Sequence, residues 1–73
     1  MLIRSQDKET ILVLENTSII SAGKVYGKNE KGYLVEANKS LVLGAYETKE
    51  KALAAIDGIC KACQDGESLF EMP

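Results

Sequence analysis

Between Leu41 and Asp65 the hydrophobic period of the chain changes once, and that change limits what it can fold into. Leu41-Val42-Leu43-Gly44-Ala45-Tyr46 is an apolar, strand-like run. At Thr48 it gives way to a helical pattern that continues to about Asp65. Leu53, Ile56, Cys60 and Cys63 recur at spacings of three, four and three. Ala52, Ala55, Ile59 and Ala62 widen this stripe, as expected for a helix lying on a sheet. Thr48 is a suitable N-cap, because its hydroxyl can accept a free backbone N–H of the first turn. Glu50 lies near the positive end of the helix dipole, and Gly66 after Asp65 is a fitting C-cap. Glu47–Lys51 and Asp57–Lys61 place acid before base four residues apart. Gly58 costs about 1 kcal/mol relative to Ala inside a helix, which suggests that a neighbouring strand approaches it closely.

Everything upstream of the junction reads as short strands. Leu2 to Gln6 is the first, and Asp7-Lys8-Glu9 is a polar turn. Thr10-Ile11-Leu12-Val13-Leu14 is almost continuously apolar, which predicts a strand covered on both faces. Ser18-Ile19-Ile20-Ser21-Ala22 starts another, reaching towards Tyr26 with a kink at Gly23. Gly27-Lys28-Asn29-Glu30-Lys31-Gly32 carries residues that tolerate positive φ and reads as a hairpin loop. Gly32 to Ala37 and Leu41 to Tyr46 then flank the tight turn Asn38-Lys39-Ser40. Ser68-Leu69-Phe70-Glu71-Met72-Pro73 can return as a short edge strand ended by Pro73. The expectation is one α+β domain spanning residues 1–73. It comprises an antiparallel meander of about five strands, one C-terminal amphipathic helix packed on one face, and a short final edge strand.

Size and charge narrow the function classes. The chain has 73 residues, 45% of them hydrophobic, with one Phe and no Trp, so its core must be aliphatic. Domains below roughly 80 residues seldom gain more than about 3–5 kcal/mol from one core, which points to help from a disulfide, a metal, a partner subunit or very regular packing. A homodimer through the open sheet face or a strand edge is the expectation. The net charge is −2 with the signs interspersed, unlike the basic stripe of a nucleic-acid binder. No apolar run approaches the ~20 residues of a membrane span. The opening residues lack the basic start and the roughly 7–15-residue apolar core of a signal peptide. A cytoplasmic location with reduced cysteines is therefore expected.

Candidate chemistry is sparse. There is no His, which removes the commonest general base and metal ligand. No carboxylate pairing and no phosphate-binding glycine loop stand out, so neither an enzyme nor a cofactor is expected. Cys60-Lys61-Ala62-Cys63 has C-x-x-C spacing, but it falls at the helix C-terminal end, where the dipole opposes the thiolate. With no third Cys, one chain cannot complete a tetrahedral zinc site. Cys60 and Cys63 are therefore read first as core residues, with a metal bridge between two copies and redox chemistry as the alternatives. Arg4, Gln6 and Asp7 form either a recognition tip or a polar turn closed by Asp7, and the turn is preferred. Tyr26, Tyr33 and Tyr46 are either ordinary strand residues or a shared binding patch.

Three stretches carry a resemblance: Ile3-Arg4-Ser5-Gln6-Asp7-Lys8, Leu43-Gly44-Ala45-Tyr46-Glu47-Thr48-Lys49-Glu50-Lys51-Ala52, and Phe70-Glu71-Met72-Pro73. In these the chain resembles a group of short proteins encoded in prophages and mobile regions of Gram-positive bacteria. The group shares an I-R-S-Q-D/N start, an L-G-x-Y-x-T-x-E-x-A junction and an aromatic-x-M-P end. The resemblance implies a phage-type accessory context, in which small acidic proteins act by binding, including as inhibitors of host defence. Ser18 to Lys39 is where such chains vary, so a binding specificity could lie there. The functional expectation is a non-enzymatic binding protein with a protein partner. The alternative is a small-ligand binder whose pocket uses Arg4, Gln6 and the tyrosines at a subunit interface.

Overall fold

A computed structural model describes residues 1–25 and 32–73. Their order is β1 (Leu2–Arg4), β2 (Ile11–Val13), a single 3-10 turn (Leu14–Asn16), β3 (Ile20–Lys24), β4 (Tyr33–Ala37), β5 (Leu41–Tyr46), α1 (Lys49–Gln64) and β6 (Leu69–Glu71). The fold is α+β with one C-terminal helix and a final edge strand, in line with the sequence pattern. Tyr26 and residues 27–31 of the expected loop lie outside the described residues. The described strands form two three-stranded sheets, ordered β2-β1-β6 and β3-β4-β5. The second is the last three strands of the expected five-strand meander, which divides between β2 and β3 into two sheets. In the first, β1 pairs antiparallel with β2 and parallel with β6.

Turn chemistry sets the registers of the meander. Lys24 pairs with Tyr33, and beyond them the Val25 N–H donates to the Gly32 carbonyl at 3.0 Å. Gly32 has φ +115°, and a Cβ there would sit 2.5 Å from the Tyr46 carbonyl oxygen. Asn38 and Lys39 turn the chain between β4 and β5 with φ of 54° and 60°. The Asn38 side-chain oxygen also accepts from the N–H groups of Ser18 (3.0 Å) and Ile19 (3.3 Å), fixing the entry to β3. One bulge interrupts β4–β5: Val35 opposes Gly44 while Glu36 opposes Val42. Leu43 is the extra residue, and both Leu43 and Gly44 are buried, the bend and unpaired groups of a bulge falling at this point.

The helix begins as its cap predicts, with the Lys51 N–H donating to Thr48 Oγ1 at 3.2 Å. It ends at Gly66, φ +72°, with the Glu67 N–H reaching back to the Ala62 carbonyl at 2.9 Å. Its buried face is Ala52, Ala55, Ile59 and Ala62. Leu53, Cys60 and Cys63 are exposed, which corrects the reading of the two cysteines as core residues. The physical reason is size: alanines bring the helix axis close to the strands, and the bulkier residues turn outward. Gly58 serves the same close approach, since a Cβ there would lie 2.9 Å from the Phe70 ring of β6. Ile3, Val35, Ala37, Leu43, Ala52, Ala55, Ile59 and Met72 form the core.

A second correction concerns β2. Ile11 and Val13 are exposed, so this strand is covered on one face only. Across the outer face of its sheet, Val13, Leu2 and Leu69 stand side by side in register, followed by Ile11, Arg4 and Glu71. No helix among the described residues is long and apolar enough to cross a membrane.

Lys39 holds a left-handed conformation that costs a side-chain-bearing residue roughly 1–2 kcal/mol. Part of this is offset by glycine's greater unfolded-state freedom. Lys39→Gly is expected to raise stability by about 0.5–1 kcal/mol, read as a higher urea midpoint at unchanged m-value.

Candidate functional site

The polar residues at the end of β1 work inside the fold. Asp7 Oδ1 accepts from the Ser5 hydroxyl at 2.6 Å and from the Glu9 N–H at 2.9 Å. The buried Ser5 Oγ in turn accepts from the Thr10 N–H at 3.1 Å. Asp7 thus closes the β1–β2 turn. The Ser5 hydroxyl first, and the Glu9 N–H second, hold its carboxyl below the ordinary 3.8. Arg4 lies 3.4 Å from Glu71 Oε1 through Nη1 and 3.4 Å from the Lys8 carbonyl through Nε and Nη2.

Gln6 joins the two sheets. Its backbone N–H donates to the Leu43 carbonyl at 2.7 Å. Its side-chain oxygen accepts from the Ala45 N–H at 2.8 Å, and its Nε2 donates to the Pro73 carbonyl at 3.0 Å. The Tyr46 hydroxyl donates to the same Pro73 oxygen at 3.1 Å. Partial burial raises the Tyr46 pKa above its usual 10.0. Gly44 makes room for this ring, since a Cβ there would lie 2.7 Å from the Tyr46 hydroxyl. The stretches Ile3–Lys8, Leu43–Ala52 and Phe70–Pro73 therefore meet at one corner and hold one another. Tyr33 is paired with Tyr46 across β4–β5, so these two tyrosines come together.

Two of the concavities among the described residues bear on function. One, about 410 Å³, lies at this corner and is lined by Gln6, Ala45, Tyr46, Glu47, Lys51 and Pro73 among others. The other, about 300 Å³, is a groove between the segment Leu14 to Ile20 and the far half of α1. Its walls include Leu14, Ile19, Ile20, Ile56, Cys60 and Cys63. Both thiols are free and open to solvent. Among the described residues no three His, Cys, Asp or Glu side chains gather as metal ligands do. The exposure of Ile19 is hard to read from the sequence. Its only signal was the Ile19-Ile20 doublet, since strand alternation sends one of two neighbours outward.

Set against known proteins, the chain matches no family model, no curated protein and no solved structure.

Two outcomes test the corner. Gln6→Ala removes the side-chain bonds to Ala45 and Pro73 and is expected to cost about 1–2 kcal/mol, measurable by urea unfolding. Asp7, with its folded pKa depressed, adds stability that is complete above pH 3.8 and lost as pH falls through its folded value. Asp7→Asn should therefore flatten the acid limb of a thermal-melting pH series below 3.8. An unchanged limb would remove Asp7 from the turn's electrostatics.

Proposed function

We propose that the chain is a non-enzymatic binding protein that takes an apolar side chain of a partner protein into the groove beside Cys60 and Cys63. One observation carries this reading. The groove is walled by aliphatic side chains and thiols with Ile19 exposed at its edge, the composition of an interface core rather than of a polar ligand site. The polar atoms of Gln6, Asp7 and Tyr46, by contrast, bond within the fold. Ser18, Ile19 and Ile20 of the groove fall in the region where the resembling chains vary. The resemblance supports the wider context: an accessory protein of a phage or prophage that inhibits a host protein, such as a defence protein, by occupying its surface.

Affinity capture from a Gram-positive host lysate tests the reading. The native chain should enrich a partner that Ile19→Asp and Cys60→Arg lose and that Leu53→Asp, outside the groove, retains. Retention by the groove variants, or no enrichment at all, would sink it.

A small-ligand reading draws on the corner cavity, whose volume of about 410 Å³ falls in the range of ligand pockets. It has less behind it, because the Gln6 amide and Tyr46 hydroxyl already bond to Pro73. Native mass spectrometry after gentle isolation should show extra mass on this reading, and bare protein would count against it.

A further inference from the structure

We infer that the outer face of the β2-β1-β6 sheet is a self-complementary docking surface for a second copy of this chain. The face presents two matched rows. Val13, Leu2 and Leu69 form an aliphatic row, exposed at 42%, 40% and 45%. Ile11, Arg4 and Glu71 form the next row along the strands. Because β1 and β6 are parallel and in register, Leu2 lies beside Leu69 and Arg4 lies beside Glu71.

That register selects one symmetry. Take two such faces stacked at the roughly 10 Å separation of packed sheets. A two-fold axis parallel to the strands and midway between β1 and β6 sets Leu2 against Leu69 of the second copy. The same operation sets Arg4 against Glu71 of the second copy, and each contact occurs twice, as an isologous interface requires. The neighbouring choices fail. An axis along β1 opposes Arg4 to Arg4, and an axis between β1 and β2 buries Arg4 against Ile11. A patch that carries one cation and one anion beside an aliphatic row is complementary to itself in charge as well as in apolar surface.

The ion pair is free to rearrange. Within one chain the Arg4–Glu71 contact is 3.4 Å, with 40% and 54% of the two side chains exposed. A well-formed charged hydrogen bond is about 2.7–2.9 Å, so each partner keeps bonding capacity to offer across the interface. The face is small beside the roughly 800 Å² per partner of a standard interface, so association should depend on concentration. None of its six residues lines the groove beside Cys60 and Cys63, so this assembly stands or falls independently of partner capture there.

Sedimentation equilibrium over a concentration series is the test. The native mass should rise from 7.9 kDa towards twice that value. Arg4→Glu and Glu71→Arg, with unchanged circular dichroism, should each weaken self-association at least tenfold. An equimolar mixture of the two variants should restore it, because a face bearing Glu at 4 and 71 meets one bearing Arg at both. Leu69→Lys should abolish association without rescue by mixing. A native mass of 7.9 kDa at the highest soluble concentration would overturn the inference. So would single-charge variants that associate like the native chain, or a mixture no stronger than its components.

Discussion

The two sheets share one core because β1 does not stop where its own sheet ends. The chain runs on through Ser5 to Gln6, which reaches the free edge of β5 at its bulge. There the Leu43 carbonyl and the Ala45 N–H need one donor and one acceptor, and Gln6 supplies them from its backbone and its side chain. The rest of the amide holds Pro73. Glutamine fits because it donates and accepts at once; a glutamate could not donate to Pro73, and a leucine could do neither. Without this contact β5 would present an unpaired edge, the kind of surface that invites strand addition from another chain.

The helix sets what the molecule shows to solvent. Its apolar stripe is wider than the sheets can cover. The alanine side goes inward, and Leu53, Cys60 and Cys63 are left outside. The groove beside the thiols follows directly: a close-set helix with outward-leaning larger residues leaves a channel against the segment before β3. The feature that tightens the core is therefore also the one that creates an apolar recess at the surface.

Local features were legible in the sequence. The β5 bounds, the Thr48 cap and the Gly66 stop all follow from period, capping and turn chemistry within a few residues. The phase of the helix was not. Leu53–Ile56–Cys60–Cys63 and Ala52–Ala55–Ile59–Ala62 have closely similar spacing and differ by one residue, so hydrophobicity favours the first set while packing distance selects the second. The division into two sheets was equally hidden, because the β1–β6 pairing joins residues 67 apart and no local pattern reports it. At the candidate site, Gln6 and Tyr46 stand out in the sequence for their chemistry, yet nothing nearby in sequence announces that each is bonded to Pro73. Ile19 lay concealed in an apolar doublet.

The same long-range pairing bears on how the chain folds. The hairpin of β1 and β2 and the meander β3-β4-β5 can each form from neighbours, but Ile3 is sealed only when Phe70 and Met72 arrive beside it. Contacts this distant in sequence are made late, because loop closure must precede any gain from them. During synthesis the first strand therefore waits, one edge open, until residues 69–71 have left the ribosome. The interval in which this small domain is vulnerable to proteases and to mispairing is set by the chain that must still be made, not by the speed of its local elements.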